Sequence, residues 1–188
     1  MVGDLHALLT RAHIPGPHVL VGHSYGGMIV RLFAQTYPRQ TAGLVFVDAF
    51  GTNIERLFGP RLWPRYVRLL NYPGTPLERE PGFETVDVNE AIRAIQRARP
   101  LPRVPAAVIS KMEPFGTAPG VPNDLTSRLE GVWPKVQARL VGLEPQTPHV
   151  FATGSDHYVQ IHDPDLTIST IRLVLTRVRR SRPAIGRG

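Results

Sequence analysis

The sequence predicts an α/β fold, a mostly parallel sheet of about four strands interrupted by a helical insertion. Three observations carry that expectation. Residues 18–22 form a short apolar run that enters Gly22-His23-Ser24-Tyr25-Gly26-Gly27, and Met28, Ile29, Leu32 and Phe33 leave it at helical spacing. Residues 42–47 are continuously apolar and end on Asp48, the pattern of a strand covered on both faces of a parallel sheet. Further short apolar runs at 104–110 and 149–152 alternate with segments of helical periodicity.

The elements follow in chain order. Asp4 is a natural N-cap for a helix over 5–12, with Leu5, Leu8, Leu9 and Ala12 on one face and Pro15-Gly16-Pro17 after it. A strand over 18–22, the Gly-x-Ser-x-Gly turn and a helix over 26–36 come next, and Tyr37-Pro38 closes that helix because the residue before proline disfavours the α region. After the 42–48 strand, residues 50–102 are punctuated by prolines, and arginines alternate with aromatics; one helix is expected over 89–99, with Ala91, Ile92 and Ile95 inward. A third strand follows at 104–110, then a Gly/Pro-rich loop to Pro122. Asn123 or Asp124 can cap a helix through Leu125 and Leu129, and Pro134 starts another at its first position. The fourth strand, 149–152, leads into the loop Gly154-Ser155-Asp156-His157-Tyr158. Asp163-Pro164 then opens an amphipathic helix through Leu166, Ile171, Val174 and Val178.

Composition excludes several classes. At 188 residues, 42% apolar and 20% charged, the chain can bury a real core as one soluble domain. No apolar run approaches the roughly 20 residues of a membrane span, and no secretory leader is visible, so a cytoplasmic location is expected. Without cysteine there are no disulfides, thiol nucleophiles or Cys-based metal sites. The net charge of +7 gathers toward the C-terminus at Arg172, Arg177, Arg179, Arg180, Arg182 and Arg187. That segment lacks the interleaved aromatics that stack bases, so it reads as a solvated helix end and tail, not a nucleic-acid surface.

The turn at Ser24 carries the chemistry. Between a strand and a helix, Gly-x-Ser-x-Gly places the serine at the apex of a sharp, strained turn. A side chain larger than glycine at 22 or 26 is expected to crowd the neighbouring strand and helix. The Tyr25 N–H, at the positive end of the helix dipole, is a candidate oxyanion donor.

This wording resembles the α/β-hydrolase superfamily of bacterial esterases, lipases and lactonases. The resemblance implies a partial α/β-hydrolase fold, with 1–49 and 103–180 as the core, 50–102 as a cap insertion and 181–188 as a disordered basic tail. It also implies a nucleophile, acid, histidine order along the chain. Ser24 is then the nucleophile. His157, in the loop after the last strand, is the base; His149 and His162 are structural. The acid is Asp48, at the end of the second strand, or alternatively Glu113, after the third. His23 is expected to point away from the nucleophile and to line the pocket or pack. Leu57, Phe58, Leu62, Trp63, Tyr66, Leu69 and Leu70 of the cap are candidates for an apolar acyl pocket.

The implied activity is a serine carboxylesterase acting on small or medium acyl esters, with no metal or organic cofactor. The alternatives are a lactonase on the same residues, or a weakly active shortened hydrolase serving as a scaffold. The family's early strands and its His-Gly-type loop, which supplies a second oxyanion donor worth about 2.7–4 kcal/mol, have no counterpart in the sequence. Strand 18–22 would therefore form an apolar sheet edge, and a homodimer through that edge is expected.

Overall fold

The computed structural model describes residues 1–71, 79–80, 84–116 and 121–181. Most of the expected disordered tail, from residue 182 onward, lies outside the described residues, and Ser181 closes the last helix.

Four strands, β1 (His18–His23), β2 (Thr41–Val47), β3 (Ala106–Lys111) and β4 (His149–Ala152), pair in parallel in the order β1-β2-β3-β4. The helices are α1 (Val2–Arg11), α2 (Gly26–Thr36), α3 (Ile54–Phe58), α4 (Trp63–Leu69), α5 (Val88–Arg97), α6 (Asn123–Val141), α7 (Val159–His162) and α8 (Pro164–Ser181). The period-2 alternation of the strands sorts the core into two faces. Leu44 and Phe46 of β2 and Ala106 and Val108 of β3 meet α2, α6 and the apolar face of α1, while Val45, Val47, Ala107 and Ile109 meet α7 and α8. The continuous apolar run in β2 thus reflects burial on both sides. A third cluster joins α3, α4 and α5 to α6 through Phe50, Ile54, Phe58, Trp63, Ile92 and Trp133. The outer edge of β1 carries no strand partner among the described residues, and Val21 on it is 41% exposed.

Three local expectations need correction. Asp4 does not cap α1; the helix starts at Val2 and Asp4 sits in its first turn, where its charge suits the dipole. Helix α6 runs unbroken through Pro134, so neither Asn123 nor Asp124 caps a separate helix there. An interior proline costs about 3 kcal/mol. Burial of Leu125, Leu129, Val132, Trp133, Val136 and Leu140 along one continuous stripe offsets it. Asp163, the expected cap of α8, does accept from the Leu166 amide through Oδ1, and Asp87, a cap not expected from the sequence, accepts from the Glu90 amide at the start of α5.

The third correction concerns the glycines. A Cβ at Gly22 would lie 2.5 Å from the Gly26 carbonyl oxygen, as expected, but a Cβ at Gly26 would meet nothing within 4 Å. The other crowded position is Gly27, where a Cβ would lie 2.3 Å from that of Ala49. Helix phase is the reason: residue 27, not 26, faces the chain leaving β2. Gly22→Ala is expected to destabilise by about 3 kcal/mol, a backbone clash with little room to relax, and so to lower Tm by roughly 6–12 °C. Gly26→Ala should change stability by less than roughly 1 kcal/mol. Thermal unfolding of the two variants checks the contrast; equal losses would disprove it.

Candidate active site

Ser24 follows directly on β1 and has φ 53°, in the left-handed region. That conformation costs a non-glycine residue roughly 1–2 kcal/mol. It is held by backbone hydrogen bonds: the Ser24 amide donates to Val47 O at 3.1 Å, and Ser24 O accepts from Phe50 N and Gly27 N, each at 3.0 Å. The turn is therefore tied to the exit of β2. Tyr25 then sits at the N-terminus of α2.

Asp48 is the first residue after β2. It is fully buried and also has positive φ, at 40°. Its amide donates to Ile109 O at 2.7 Å. Both carboxylate oxygens are engaged. Oδ1 accepts from the Lys111 amide at 3.1 Å and from Trp133 Nε1 at 2.8 Å, and Oδ2 lies 2.7 Å from His157 Nδ1. These hydrogen bonds offset the cost of burying a polar group away from water.

His157 sits in the loop after β4, and its Nε2 lies 2.9 Å from Ser24 Oγ. The loop is pinned from β3, since Ser155 O accepts from Met112 N at 3.2 Å and Glu113 N at 3.0 Å. Ser24, His157 and Asp48 thus form one continuous hydrogen-bonded chain. With Asp48 accepting at Nδ1, that nitrogen carries the proton and Nε2 is free to accept from the hydroxyl.

Other expected residues fall elsewhere. Glu113 is exposed and contributes its backbone, not its carboxylate, so the structure does not bring it to His157. His149 Nε2 lies 2.7 Å from Ser110 Oγ, and His162 pairs with Asp156 at 3.0 Å. His23 does not turn away. Its ring packs 4.5 Å from that of His157 and its Nε2–H donates to His157 O at 2.7 Å. Burial, then the neighbouring His157, holds its pKa below the usual histidine value.

A cavity of about 440 Å³ opens onto Ser24 and His157. Its apolar wall comes from Phe50, Tyr66, Leu69, Leu70, Leu125 and Leu129. Of the expected pocket residues, His23, Tyr66, Leu69 and Leu70 line it, whereas Leu57 and Leu62 pack against the cluster beneath. Nor do Phe58 and Trp63 line it: they are 2% and 4% exposed and pack in the core under Tyr66. Phe115, which also lines the cavity, packs 5.0 Å from the His157 ring. Phe50, Phe115, Leu125, Leu129 and the Asp48 donor Trp133 are not among the site residues expected from the sequence: the first two lie on the segments leaving β2 and β3, and the last three come with α6.

Residues 2–171 match the model described as the Alpha/beta hydrolase family. Among curated proteins, none matches the sequence. Among solved structures, the chain is similar to a probable hydrolytic enzyme from Pseudomonas aeruginosa PAO1 (22% identity, 93% of this chain and 68% of that one, TM-score 0.60). It is also similar to a thermophilic esterase from Thermogutta terrifontis (19%, 94% and 71%, TM-score 0.54). An epoxide hydrolase from Bacillus megaterium has the same fold at 14% identity (93% and 74%, TM-score 0.56). At these identities the likeness is one of fold, and a shared fold hosts different chemistries.

Proposed function

As the chain belongs to the alpha/beta hydrolase family, we propose that it is a serine carboxylesterase using Ser24, His157 and Asp48. The observation that carries this reading is the unbroken chain from Asp48 Oδ2 through both His157 nitrogens to Ser24 Oγ, opening on an apolar cavity. A serine hydroxyl becomes nucleophilic when a base takes its proton as it attacks. His157 Nε2 accepts that proton, and Oγ bonds to the ester carbonyl carbon. The carbonyl oxygen takes the negative charge and turns toward the Tyr25 N–H. Collapse expels the alcohol, protonated by His157, and leaves an acyl-enzyme. A water deprotonated by His157 then releases the acid and restores Ser24. Asp48 holds the His157 ring in the required tautomer and stabilises the imidazolium formed in each half-reaction.

The cavity bears on the substrate. Its size lies within the roughly 300–1,000 Å³ of small-molecule sites, and its aliphatic and aromatic wall suits an apolar acyl chain more than a polar one. Each methylene removed from water there contributes about 0.8 kcal/mol, so kcat/KM should rise with chain length until the wall is reached. The test is hydrolysis of p-nitrophenyl esters from C2 to C12 by the full chain. A rise to an optimum at short or medium acyl length, with inactivation by a fluorophosphonate, is expected. Absence of turnover across the series would overturn the esterase reading.

A further inference from the structure

We propose that Trp133 is a positioning residue of this site: its indole N–H fixes the orientation of the Asp48 carboxylate and so the hydrogen bond that Asp48 accepts from His157 Nδ1–H. The inference rests on the reading of Ser24, His157 and Asp48 as the reacting chain. Trp133 lies on α6, far from these three in sequence, and is buried. Its Nε1 donates to Asp48 Oδ1 at 2.8 Å. The same indole stands edge-on to the His157 ring, with centroids 5.7 Å apart at 81°, and edge-on to Phe115 at 5.0 Å and 84°. One side chain therefore touches both the acid and the base.

The carboxylate alone is underdetermined. Rotation about its last torsion is broad and roughly two-fold. Two donors on Oδ1, the Lys111 amide and the Trp133 indole, remove that freedom and leave Oδ2 aimed at Nδ1. Helix α6 holds the first of these as well. One turn before Trp133, Glu130 pairs with Lys111 Nζ at 2.9 Å and accepts from the Phe115 amide. The helix thus fastens the segment following β3 and the acid with one face.

The electrostatic effect has a definite sign. A donor on Oδ1 draws carboxylate charge away from Oδ2. Without the indole N–H, Oδ2 stabilises the His157 imidazolium more strongly, and the neutral base appears only at higher pH. Among the described residues, the titratable groups facing the His157 ring are Asp48, His23 and Tyr158, while Lys111 beside Asp48 is itself paired with Glu130.

The test compares the full chain with Trp133→Phe and with a chain carrying the benzothienyl isostere of tryptophan at 133, which removes only the N–H. Trp63→Phe, which also loses an indole donor but one bonded to Asn89, is the control. With p-nitrophenyl butyrate, kcat should fall roughly 10–100-fold, the usual cost of losing an orienting partner. KM should stay within about twofold, since the indole does not line the cavity. The acid limb of the kcat/KM profile should move to higher pH. The low-field proton resonance of His157 Nδ1–H, which needs no substrate, should be displaced in both 133 variants and unmoved in Trp63→Phe. A fall in kcat with limb and resonance unchanged would reduce Trp133 to a packing residue and overturn the proposal, as would variants that superimpose on the parent. Absence of the resonance in the parent would overturn it too. If Ser24→Ala retains full hydrolysis, the reading of the site has failed, and the resonance still decides the Trp133–Asp48 link.

Discussion

Ser24→Ala is expected to lower kcat for ester hydrolysis by roughly 10⁶-fold, the scale on which a serine nucleophile is lost from such a site. Oγ is the atom 2.9 Å from His157 Nε2, and removing it leaves the base with no hydroxyl to activate. The fold should not suffer. The bonds that hold residue 24 at positive φ run through its backbone N–H and C=O to Val47, Gly27 and Phe50, and alanine keeps all of them. Burst kinetics with a p-nitrophenyl ester and a thermal melt of the same sample separate the two effects. A variant within tenfold of the parent would mean that another group attacks the ester.

Asp48→Asn should lower kcat by roughly 10⁴-fold, because the amide imposes the wrong tautomer on its histidine. The surroundings of Asp48 make that outcome compulsory. Two donors, Lys111 N and Trp133 Nε1, converge on Oδ1. An asparagine here must keep its carbonyl oxygen toward them, since an NH₂ would face two donors in a buried space. Its NH₂ then points at His157 Nδ1, which can only accept. The ring proton moves to Nε2, where it blocks proton transfer from Ser24. Glu113→Gln, by contrast, changes an exposed side chain and should leave kcat within about twofold. A mild Asp48→Asn with a severe Glu113→Gln would reverse the assignment of the acid. The kcat and KM of both variants on one ester decide it.

Residues on or beside the strand ends were the ones legible in the sequence. Ser24 is marked by a turn motif set between an apolar strand and a helix, and Asp48 by an apolar run that stops on a charge. His157 needed the chain order implied by the family resemblance, since seven histidines compete. These signals are local, because strand burial and turn strain are written into a few adjacent residues. Choosing between Gly26 and Gly27 required helix phase to better than one residue, which spacing alone does not provide. Phe58 and Trp63 read as pocket residues because an aromatic in an insertion looks the same whether it faces a cavity or a core. Their burial depends on how α3, α4 and α5 settle on α6. Pro134 hid the unity of α6, although the apolar stripe at 125, 129, 132, 133, 136 and 140 passes through it at helical spacing. Trp133 had no signal at all: its bond to Asp48 spans 85 positions and arises from a helix crossing.

The two strained residues give the molecule a property that neither has alone. Ser24 and Asp48 adopt their uphill conformations only while β1, β2 and β3 are in register, because Val47, Phe50 and Ile109 supply the bonds that hold them there. An isolated turn or a loosened strand relaxes to negative φ, and the hydroxyl and the carboxylate swing out of line. The alignment of the Ser24 hydroxyl with the Asp48 carboxylate is therefore a report on the integrity of the sheet. A partly ordered chain carries Ser24, Asp48 and His157 and yet does not hold them in line. The strain works as a safety catch that only the paired strands hold in place.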